Sequence, residues 1–340
     1  MRRLPRSPAA ICCGCGRRWN VTRRPVEALA MRARRMLTAF PMRWRIALLL
    51  LLFAGCAVVS VEQNPGNQAD AYLAEHHRGD AKVRHQQFQR DATTLAYVSV
   101  GEPGQPLVVF VHGTPGRWSD FVHFLAAPEL QAQAYLVSLD RPGWGESSPV
   151  PAARRVTLAM QSQRLAPFLQ TLAAQSDGCG MVLVGHSLGG SLVARLAMDY
   201  PQWVRGVVII AGSIDPELGR PRWYNTLASL PPVRWLTPKP LAQANTEIMP
   251  LHDDLLAMEP AWAQLDIPVT YIQGLTDRLV SPRNAHYART VVAAAQLQVV
   301  EVPEQGHFLI WDQPHWVSEA ISATLLRLRS ACAVSAGVRP

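Results

Sequence analysis

The pattern of hydrophobic and polar positions becomes regular at about residue 82, where two weakly alternating segments begin. Residues 83–89 and 94–100 alternate between apolar and polar side chains and are separated by the largely polar residues 90–93, a pattern that predicts an antiparallel hairpin. Short, nearly continuous apolar runs follow, and such runs are typical of strands that are buried on both faces of a sheet. They are residues 107–111, 134–139, 181–184, 207–211, 269–273 and 297–302.

Segments with a helical spacing of apolar residues lie between most of these runs. They are residues 121–125, 157–174, 191–199, 283–294 and 316–328. Because strands and helices alternate after the hairpin, the sequence predicts an α/β fold with a mostly parallel, eight-stranded sheet flanked by helices. Such a sheet is expected to bind its ligands at the carboxyl ends of its strands.

The interval between strands six and seven breaks this alternation. It is rich in proline and contains no strand-like run, and its aromatic residues include Trp223, Tyr224, Trp235 and Trp262. A long structureless loop is uncommon in a compact domain unless it has a function. We therefore interpret about residues 216–264 as a small helical lid, with a merely irregular connection as the alternative.

The charge of the chain is unevenly distributed. The whole chain has a net charge of +8, but residues 1–45 contain 12 arginines and a single acid, Glu27, so that residues 46–340 carry a net charge of −3. The folded part therefore lacks the basic excess with which a protein neutralises nucleic-acid phosphates. No nucleic-acid partner is expected.

A basic segment at residues 42–45 precedes an apolar run that ends in small residues and Cys56, an arrangement that is typical of a signal peptide. Residues 42–56 resemble a bacterial lipoprotein signal, with Phe53 at the position where that signal usually has leucine. The resemblance implies a lipid on Cys56 and a membrane-tethered protein of the cell envelope, on the periplasmic side in a bacterium. Because the apolar run continues to Val61, an uncleaved anchor or an ordinary signal is the alternative.

The rest of the chain divides around this segment. Residues 1–41 form an Arg-rich leader that is not part of the true protein if translation starts at Met36 or Met42, and is otherwise a disordered tail. Residues 57–81 are polar and predict a tether with room for one short helix, 82–329 form the domain and 330–340 a tail. The cysteines of the leader are too close together, and lack a fourth ligand, for a zinc site. They are Cys12, Cys13 and Cys15. For the remaining pair, Cys179 and Cys332, the sequence leaves a disulfide open.

The candidate chemistry begins at Gly185-His186-Ser187-Leu188-Gly189, which follows an apolar run and precedes a helix-like segment. A strand, a G-x-S-x-G motif and a helix in this order predict a nucleophile elbow, in which Ser187 projects its hydroxyl at the carboxyl end of the sheet. Gly185 and Gly189 would relieve crowding where the strand and the helix pass closely. A serine that only turns the chain is the alternative.

A nucleophilic serine also needs N–H donors for the developing oxyanion. Residues 112–116, His-Gly-Thr-Pro-Gly, follow the apolar run at 107–111 and can fold back toward the elbow. We expect the N–H groups of Thr114 and Leu188 to be the donors. Pro115 has no N–H to donate.

The base is expected to be His307, directly after the last apolar run, and the acid is expected to be Asp277, in the loop after the run at 269–273. Asp215, after the preceding run, is the rival acid. Because Asp215 precedes Pro216 where the lid begins, it is more simply explained as a turn or cap residue.

With Ser187, Asp277 and His307 at strand ends in this chain order, residues 82–329 resemble the α/β-hydrolase fold family. The segment from Asp140 to Ser148 resembles the loop after that family's fourth strand, in which Asp140 and Arg141 are usually structural. The resemblance implies a serine hydrolase, esterase- or lipase-like, that cleaves a carboxylic ester through an acyl-enzyme and requires no metal or organic cofactor. A cofactor-free peroxidase, a carbon–carbon bond hydrolase, an aminopeptidase and an acyltransferase share this triad, and a non-catalytic binding protein is a further alternative. Serine at position 187 argues against epoxide hydrolysis and dehalogenation, for which related families use a carboxylate nucleophile.

Bulky side chains near these segments predict an apolar pocket under the lid, which suits a small-molecule ester or another acyl substrate. They are Trp118, Trp144, Trp223, Leu279 and Phe308. A peptidase would also want a carboxylate to hold the substrate amine, for which Glu217 and Asp215 are candidates. The sequence determines neither the substrate nor the oligomeric state.

Overall fold

The structure, a computed structural model, describes residues 65–76, 82–150 and 155–335. The predicted leader and the signal-like segment with Cys56 lie outside the described residues. What the sequence predicts for them stays a prediction.

Eight strands form a single sheet. They are β1 (Val83–Arg90), β2 (Thr93–Val100), β3 (Leu107–Val111), β4 (Tyr135–Leu139), β5 (Met181–His186), β6 (Val204–Ile210), β7 (Val269–Gly274) and β8 (Leu297–Val302). Their order across the sheet is β1-β2-β4-β3-β5-β6-β7-β8. β2 pairs antiparallel with β1 and β4, and the other neighbouring strands are parallel. The predicted mostly parallel, eight-stranded sheet is confirmed.

Helices flank this sheet. They are α1 (Pro65–His76), α2 (Val122–Leu125), α3 (Pro128–Gln131), α4 (Leu158–Ala173), α5 (Leu188–Asp199), α6 (Trp223–Ser229), α7 (Pro231–Leu236), α8 (Lys239–Ile248), α9 (Leu251–Trp262), α10 (Arg283–Val291), α11 (Leu309–Asp312) and α12 (Pro314–Ser335). Helices α6 to α9 lie between β6 and β7, which confirms the helical lid. No helix in the described ranges is both long enough and apolar enough to cross a membrane.

The core has two layers, one on each face of the sheet. Val109 and Leu183 belong to the layer that contains α4 and α5, whereas Val108 and Val184 belong to the layer that contains α2 and α12. Because successive side chains of a strand point to opposite faces, a strand covered on both sides is apolar at every position. This explains the continuous runs of β3, β4 and β5, whose residues are all buried.

β8 departs from this expectation, because only Val302 in it is buried. The strand lies at the edge of the sheet, where one side has no neighbouring strand. An edge position leaves room for polar residues that a central strand would exclude.

Helices are present in both the predicted tether and the predicted tail. Residues 65–76, predicted as part of the tether, form α1, in which Ala69 and Leu73 are buried against the layer that contains α2. α12 runs to Ser335 and therefore into the predicted tail. A disulfide between Cys179 and Cys332, with the Cα atoms 5.7 Å apart, joins this helix to the segment before β5.

Candidate active site

Ser187 occupies the turn between β5 and α5 with φ 54° and ψ −122°, a strained conformation for a residue with a side chain. The turn is closely packed. A Cβ atom on Gly185 would overlap the Gly189 carbonyl, and one on Gly189 would overlap the carbonyl oxygen of Val111 in β3. The Ser187 N–H donates to the carbonyl oxygen of Ile210 at 2.9 Å. The neighbouring strands therefore fix the elbow, and only glycine fits on either side of it.

His307 and Asp277 meet across the loops that follow β8 and β7. The His307 Nδ1 lies 2.8 Å from the Asp277 Oδ2, and both residues are buried. The other carboxylate oxygen accepts the backbone N–H groups of Leu279 at 2.8 Å and Val280 at 2.9 Å. Burial by itself raises the pKa of Asp277, but the contact with His307 and these two N–H donors outweigh it and lower the pKa. Asp277 is therefore held as a carboxylate that orients the imidazole.

A hydrogen bond from the elbow fixes the position of His307. The His186 Nε2–H donates to the His307 carbonyl oxygen at 2.9 Å, and the two imidazole rings are 4.8 Å apart between centroids. Since His186 directly precedes Ser187, the carboxyl ends of β5, β7 and β8 bring Ser187, Asp277 and His307 to one site. Asp215, the rival acid, instead accepts the backbone N–H of Glu217 at 2.9 Å, as expected of a turn residue.

The loop after β3 lies against the elbow. A Cβ atom on Gly113 would lie 3.0 Å from the Ser187 Cβ, so this loop passes beside the serine side chain. Thr114 follows, and in the described part of the chain its buried Oγ1 has no hydrogen-bond partner. Leu188 is the first residue of α5, and the N–H of a first helical residue has no partner within its own helix. The backbone donors predicted at Thr114 and Leu188 thus lie on the two segments that border Ser187.

The Arg141 side chain holds the loop after β3 by hydrogen bonds. Its side chain is fully buried, and its guanidinium donates to the carbonyl oxygens of His112 at 2.9 Å and Gly113 at 2.7 Å. The same group pairs with Glu247 of α8, with Nη1 2.8 Å from Oε1 and Nη2 3.1 Å from Oε2. Trp144 donates its Nε1–H to Glu247 at 2.9 Å. Arg141 therefore links the lid, by a bidentate ion pair, to the loop that carries Thr114, by hydrogen bonds to two of its backbone carbonyls.

Sequence reasoning identified Arg141 but missed Glu247. A signal existed, because Glu247 is the only acidic residue between positions 218 and 252. A lone acid in an otherwise apolar and basic segment is a candidate for a buried ion pair, since an unpaired buried charge is costly.

Two other histidines of the site are held neutral. His112 donates its Nδ1–H to Gly113 O at 2.7 Å and accepts the Arg141 backbone N–H at Nε2, at 3.0 Å. Burial, followed by the charge of Arg141, lowers the pKa of His112 well below its usual range. Burial, followed by the proximity of His307, lowers the pKa of His186 to about 3. Both side chains therefore support the loops as neutral hydrogen-bonding groups.

We expect acid to destabilise the wild-type protein more than His186→Asn. Between pH 6.5 and about 3 the unfolded chain protonates residue 186 and the native state does not, so stability falls with falling pH by about 1.4 kcal/mol per pH unit from this group. Asp120, whose pKa burial raises to about 6, makes stability rise as the pH falls. Because Asp120 is present in every variant, the pH dependence of stability is compared between variants. Urea unfolding at about pH 7 and about pH 5 measures the difference. His315→Asn, at an exposed position, is the matched control and keeps the wild-type slope; an unchanged slope in His186→Asn would contradict the assignment.

The residues predicted to line the pocket are dispersed. Trp144 lies between α8 and the loop after β3, and its ring is 6.1 Å from that of His112. Leu279 and Phe308 flank the acid and the base and are 60% and 50% exposed, and the Phe308 ring is 5.6 Å from the His307 ring.

Trp118 and Trp223 do not fit the predicted pocket. Trp118 is buried and packs edge-on against His85 of β1, 5.4 Å away between ring centroids. Trp223 is 76% exposed on α6. In the described ranges no group of three His, Cys, Asp or Glu side chains is arranged to hold a metal ion.

A family model described as "Alpha/beta hydrolase family" matches residues 108–320, which is more than half of the chain. The protein therefore belongs to the alpha/beta hydrolase family. This agrees with the sheet order and with the position of the elbow.

Curated relatives include hydrolases of different kinds and one acyltransferase. The acyltransferase is the dihydrolipoyllysine-residue acetyltransferase component of the acetoin cleaving system of Cupriavidus necator, which is 33% identical over 152 residues, covering 42% of this chain and 38% of that protein. The chain is 30% identical over 204 residues to "Putative carbamate hydrolase RutD" of Klebsiella pneumoniae, covering 57% of this chain and 71% of that protein. It is 32% identical over 117 residues to epoxide hydrolase 4 of Mus musculus, covering 34% of this chain and 30% of that protein. The chain thus spans about a third of the length of several curated relatives that it matches.

A solved structure titled as a membrane phospholipase A, a bacterial virulence factor, superposes with a TM-score of 0.57 at 20% identity. The match covers 85% of this chain and 99% of that one. At this identity the likeness concerns the fold.

Proposed function

We propose that the protein is a serine hydrolase that cleaves a carboxylic ester with Ser187 as the nucleophile. The observation that carries the proposal is the buried 2.8 Å contact between His307 Nδ1 and Asp277 Oδ2, held beside a serine on a strained turn. This is the arrangement of nucleophile, base and orienting acid that activates a hydroxyl.

In the proposed reaction, His307 accepts the Ser187 proton at Nε2 as Oγ attacks the ester carbonyl carbon. Asp277 keeps the proton of the imidazole on Nδ1 and stabilises the imidazolium that forms. The N–H groups of Leu188 and Thr114 stabilise the oxyanion. Collapse of the intermediate releases the alcohol, which takes the proton from His307. Water, deprotonated by the same histidine, then releases the carboxylic acid and restores Ser187.

The site favours this reaction over two alternatives. Epoxide hydrolysis in related families uses a carboxylate nucleophile, and position 187 is serine. An aminopeptidase would need a free carboxylate for the substrate amine. Of the two candidates, Glu217 pairs with Arg220 at 2.7 Å, and Asp215 accepts the Glu217 backbone N–H at 2.9 Å. The other activities that share the triad differ in their acyl acceptor or substrate, and graded substrates distinguish them.

We expect a fluorophosphonate probe to add one adduct to the intact protein, because such probes react with activated serines. Intact-mass spectrometry before and after labelling measures this. Ser187→Ala abolishes the adduct, whereas Ser191→Ala, four residues further along α5 and hydrogen-bonded to the Ser213 carbonyl, keeps it. An adduct of equal yield in Ser187→Ala would contradict the proposal.

A further inference from the structure

The first three helices of the lid have most of their large apolar side chains on the outside, whereas α9 buries Leu255, Met258 and Trp262 in the core. On α6, α7 and the start of α8, the large apolar residues are exposed, with Leu236 86%, Trp235 80% and Trp223 76% accessible. We call this set the outer lid face; its members are Trp223, Tyr224, Leu227, Leu230, Trp235, Leu236 and Leu241. A surface helix normally turns such residues toward the core, and an extended apolar patch on a soluble domain marks an interaction site.

The inner side of the same helices is polar and well bonded. Asn225 of α6 and Asn245 of α8 are buried, and the Asn225 Nδ2 donates to the Asn245 Oδ1 at 2.9 Å. The Asn245 Nδ2 donates in turn to the Asn225 carbonyl at 2.9 Å. Together with the Glu247–Arg141 pair, these bonds fix the lid with its polar side inward. The apolar side chains are therefore exposed on helices whose orientation is fixed by buried hydrogen bonds and an ion pair.

The charges that residues 218–246 themselves carry are all positive. Arg222, Arg234 and Lys239 are exposed, and the sequence has no acidic residue from position 218 to 246. In the described part of the chain, none of these three cations forms an ion pair. Arg220, which does, pairs with Glu217 just outside this interval.

Tryptophan, tyrosine and leucine next to unpaired cations are the composition of protein surfaces that lie in the headgroup region of a bilayer. The aromatic rings enter the boundary of the acyl chains, and the cations meet anionic headgroups. A protein partner of the same shape would need a compensating acidic rim, whereas an anionic lipid surface supplies the charge everywhere. We propose that the outer lid face docks on a membrane surface that contains anionic lipids.

A cavity next to this face fits the same occupant. It has a volume of about 510 Å³, and its lining includes Trp235 of α7, Val150 of the loop after β4, and the cations Arg234 and Lys239. A lining with both apolar and cationic side chains suits the acyl chain and headgroup of one lipid.

Hydrogen exchange of the full chain tests the proposal. Vesicles of phosphatidylcholine with about 30% phosphatidylglycerol should slow the exchange of amides in residues 220–241, and vesicles of phosphatidylcholine alone should slow it much less. Arg234→Gln with Lys239→Gln should lower the ratio of docked to undocked lid roughly 25-fold, at about fivefold for each cation. Trp235→Ser with Leu236→Ser should lower it at least tenfold.

Leu326→Ser is the matched control, because Leu326 is 66% exposed on α12 outside the lid, and it should dock as the wild type does. Every variant keeps residues 1–64, so a difference between variants reports on the lid. Ser187→Ala should also dock normally, which separates this proposal from the proposed hydrolysis. Unchanged lid exchange with anionic vesicles would overturn docking. Lid protection that appears without vesicles, with a dimer in sedimentation velocity, would assign the face to a second copy of the chain and overturn it as well.

Discussion

Ser187→Ala should lower kcat for a reactive ester by roughly 10⁵- to 10⁶-fold, because it removes the atom that forms the acyl-enzyme in the proposed mechanism. The melting temperature should change little. Ser187 is half-buried, and alanine meets the same backbone strain at φ 54° while deleting one oxygen. The residual rate would come from the oxyanion donors and from substrate binding. Initial rates on a chromogenic short-chain ester, together with a thermal melt, measure both quantities.

In the proposed mechanism Ser187, His307 and Asp277 act as a unit, so the losses from replacing them should not add. Ser187→Ala combined with His307→Ala should be no slower than Ser187→Ala alone, whereas Asp277→Asn alone should cost somewhat less. Wild-type turnover in Ser187→Ala would remove the triad hypothesis. A large fall in the melting temperature of Ser187→Ala would show instead that Ser187 stabilises the fold.

Glu247→Ala should destabilise the protein by about 3–5 kcal/mol, the usual cost of leaving a buried charge without its partner. Arg141 and Glu247 are 0% and 1% exposed at their side chains, so water cannot replace the carboxylate. Arg141 also holds the carbonyls of His112 and Gly113, and we therefore expect kcat to fall in the molecules that remain folded. Urea unfolding and single-turnover acylation measure the two effects separately.

Replacing both partners by apolar residues of similar volume, Arg141→Met with Glu247→Leu, should recover much of the stability, because no charge is then buried. It should not recover kcat, since the carbonyl anchors are still missing. Glu102→Ala is the matched control. It breaks the exposed pair with Arg84 and should cost only a small fraction of the loss. Full activity in the stable double variant would show that Arg141 does not position the loop.

Much of the sheet could be predicted because burial requires apolar residues at consecutive positions of each central strand. Each central strand is covered on both faces, so β3 at 107–111 was predicted to the residue, and β7 to within one residue. The elbow could be predicted for a related reason. Gly185 and Gly189 pack against backbone carbonyls, and this need for the smallest residues is visible in the sequence as G-x-S-x-G.

The lid was predicted only as a helical insertion. Proline and the absence of a strand-like run indicate that no strand crosses this interval, but they do not say which face of α6 to α8 points outward. The buried Asn225 and Asn245 reverse the usual rule, because the Asn225 amide donates to the Asn245 side-chain oxygen and the Asn245 amide donates to the Asn225 backbone carbonyl. Because the outward face of α6 could not be predicted, Trp223 was assigned from the sequence to a pocket, whereas the structure places it on the surface.

By itself, the sequence determined the order of strands and helices, the elbow at Ser187 and the positions of acid and base at strand ends. Those features depend on periodicity and on residue size, which are local. Only the tertiary structure decided that His307 pairs with Asp277 rather than Asp215, that Glu247 meets Arg141 across 106 positions of sequence, and that Cys179 is joined to Cys332. Such pairs depend on how separate elements are placed and on which rotamers their side chains adopt, and no local pattern of hydrophobic and polar residues encodes either.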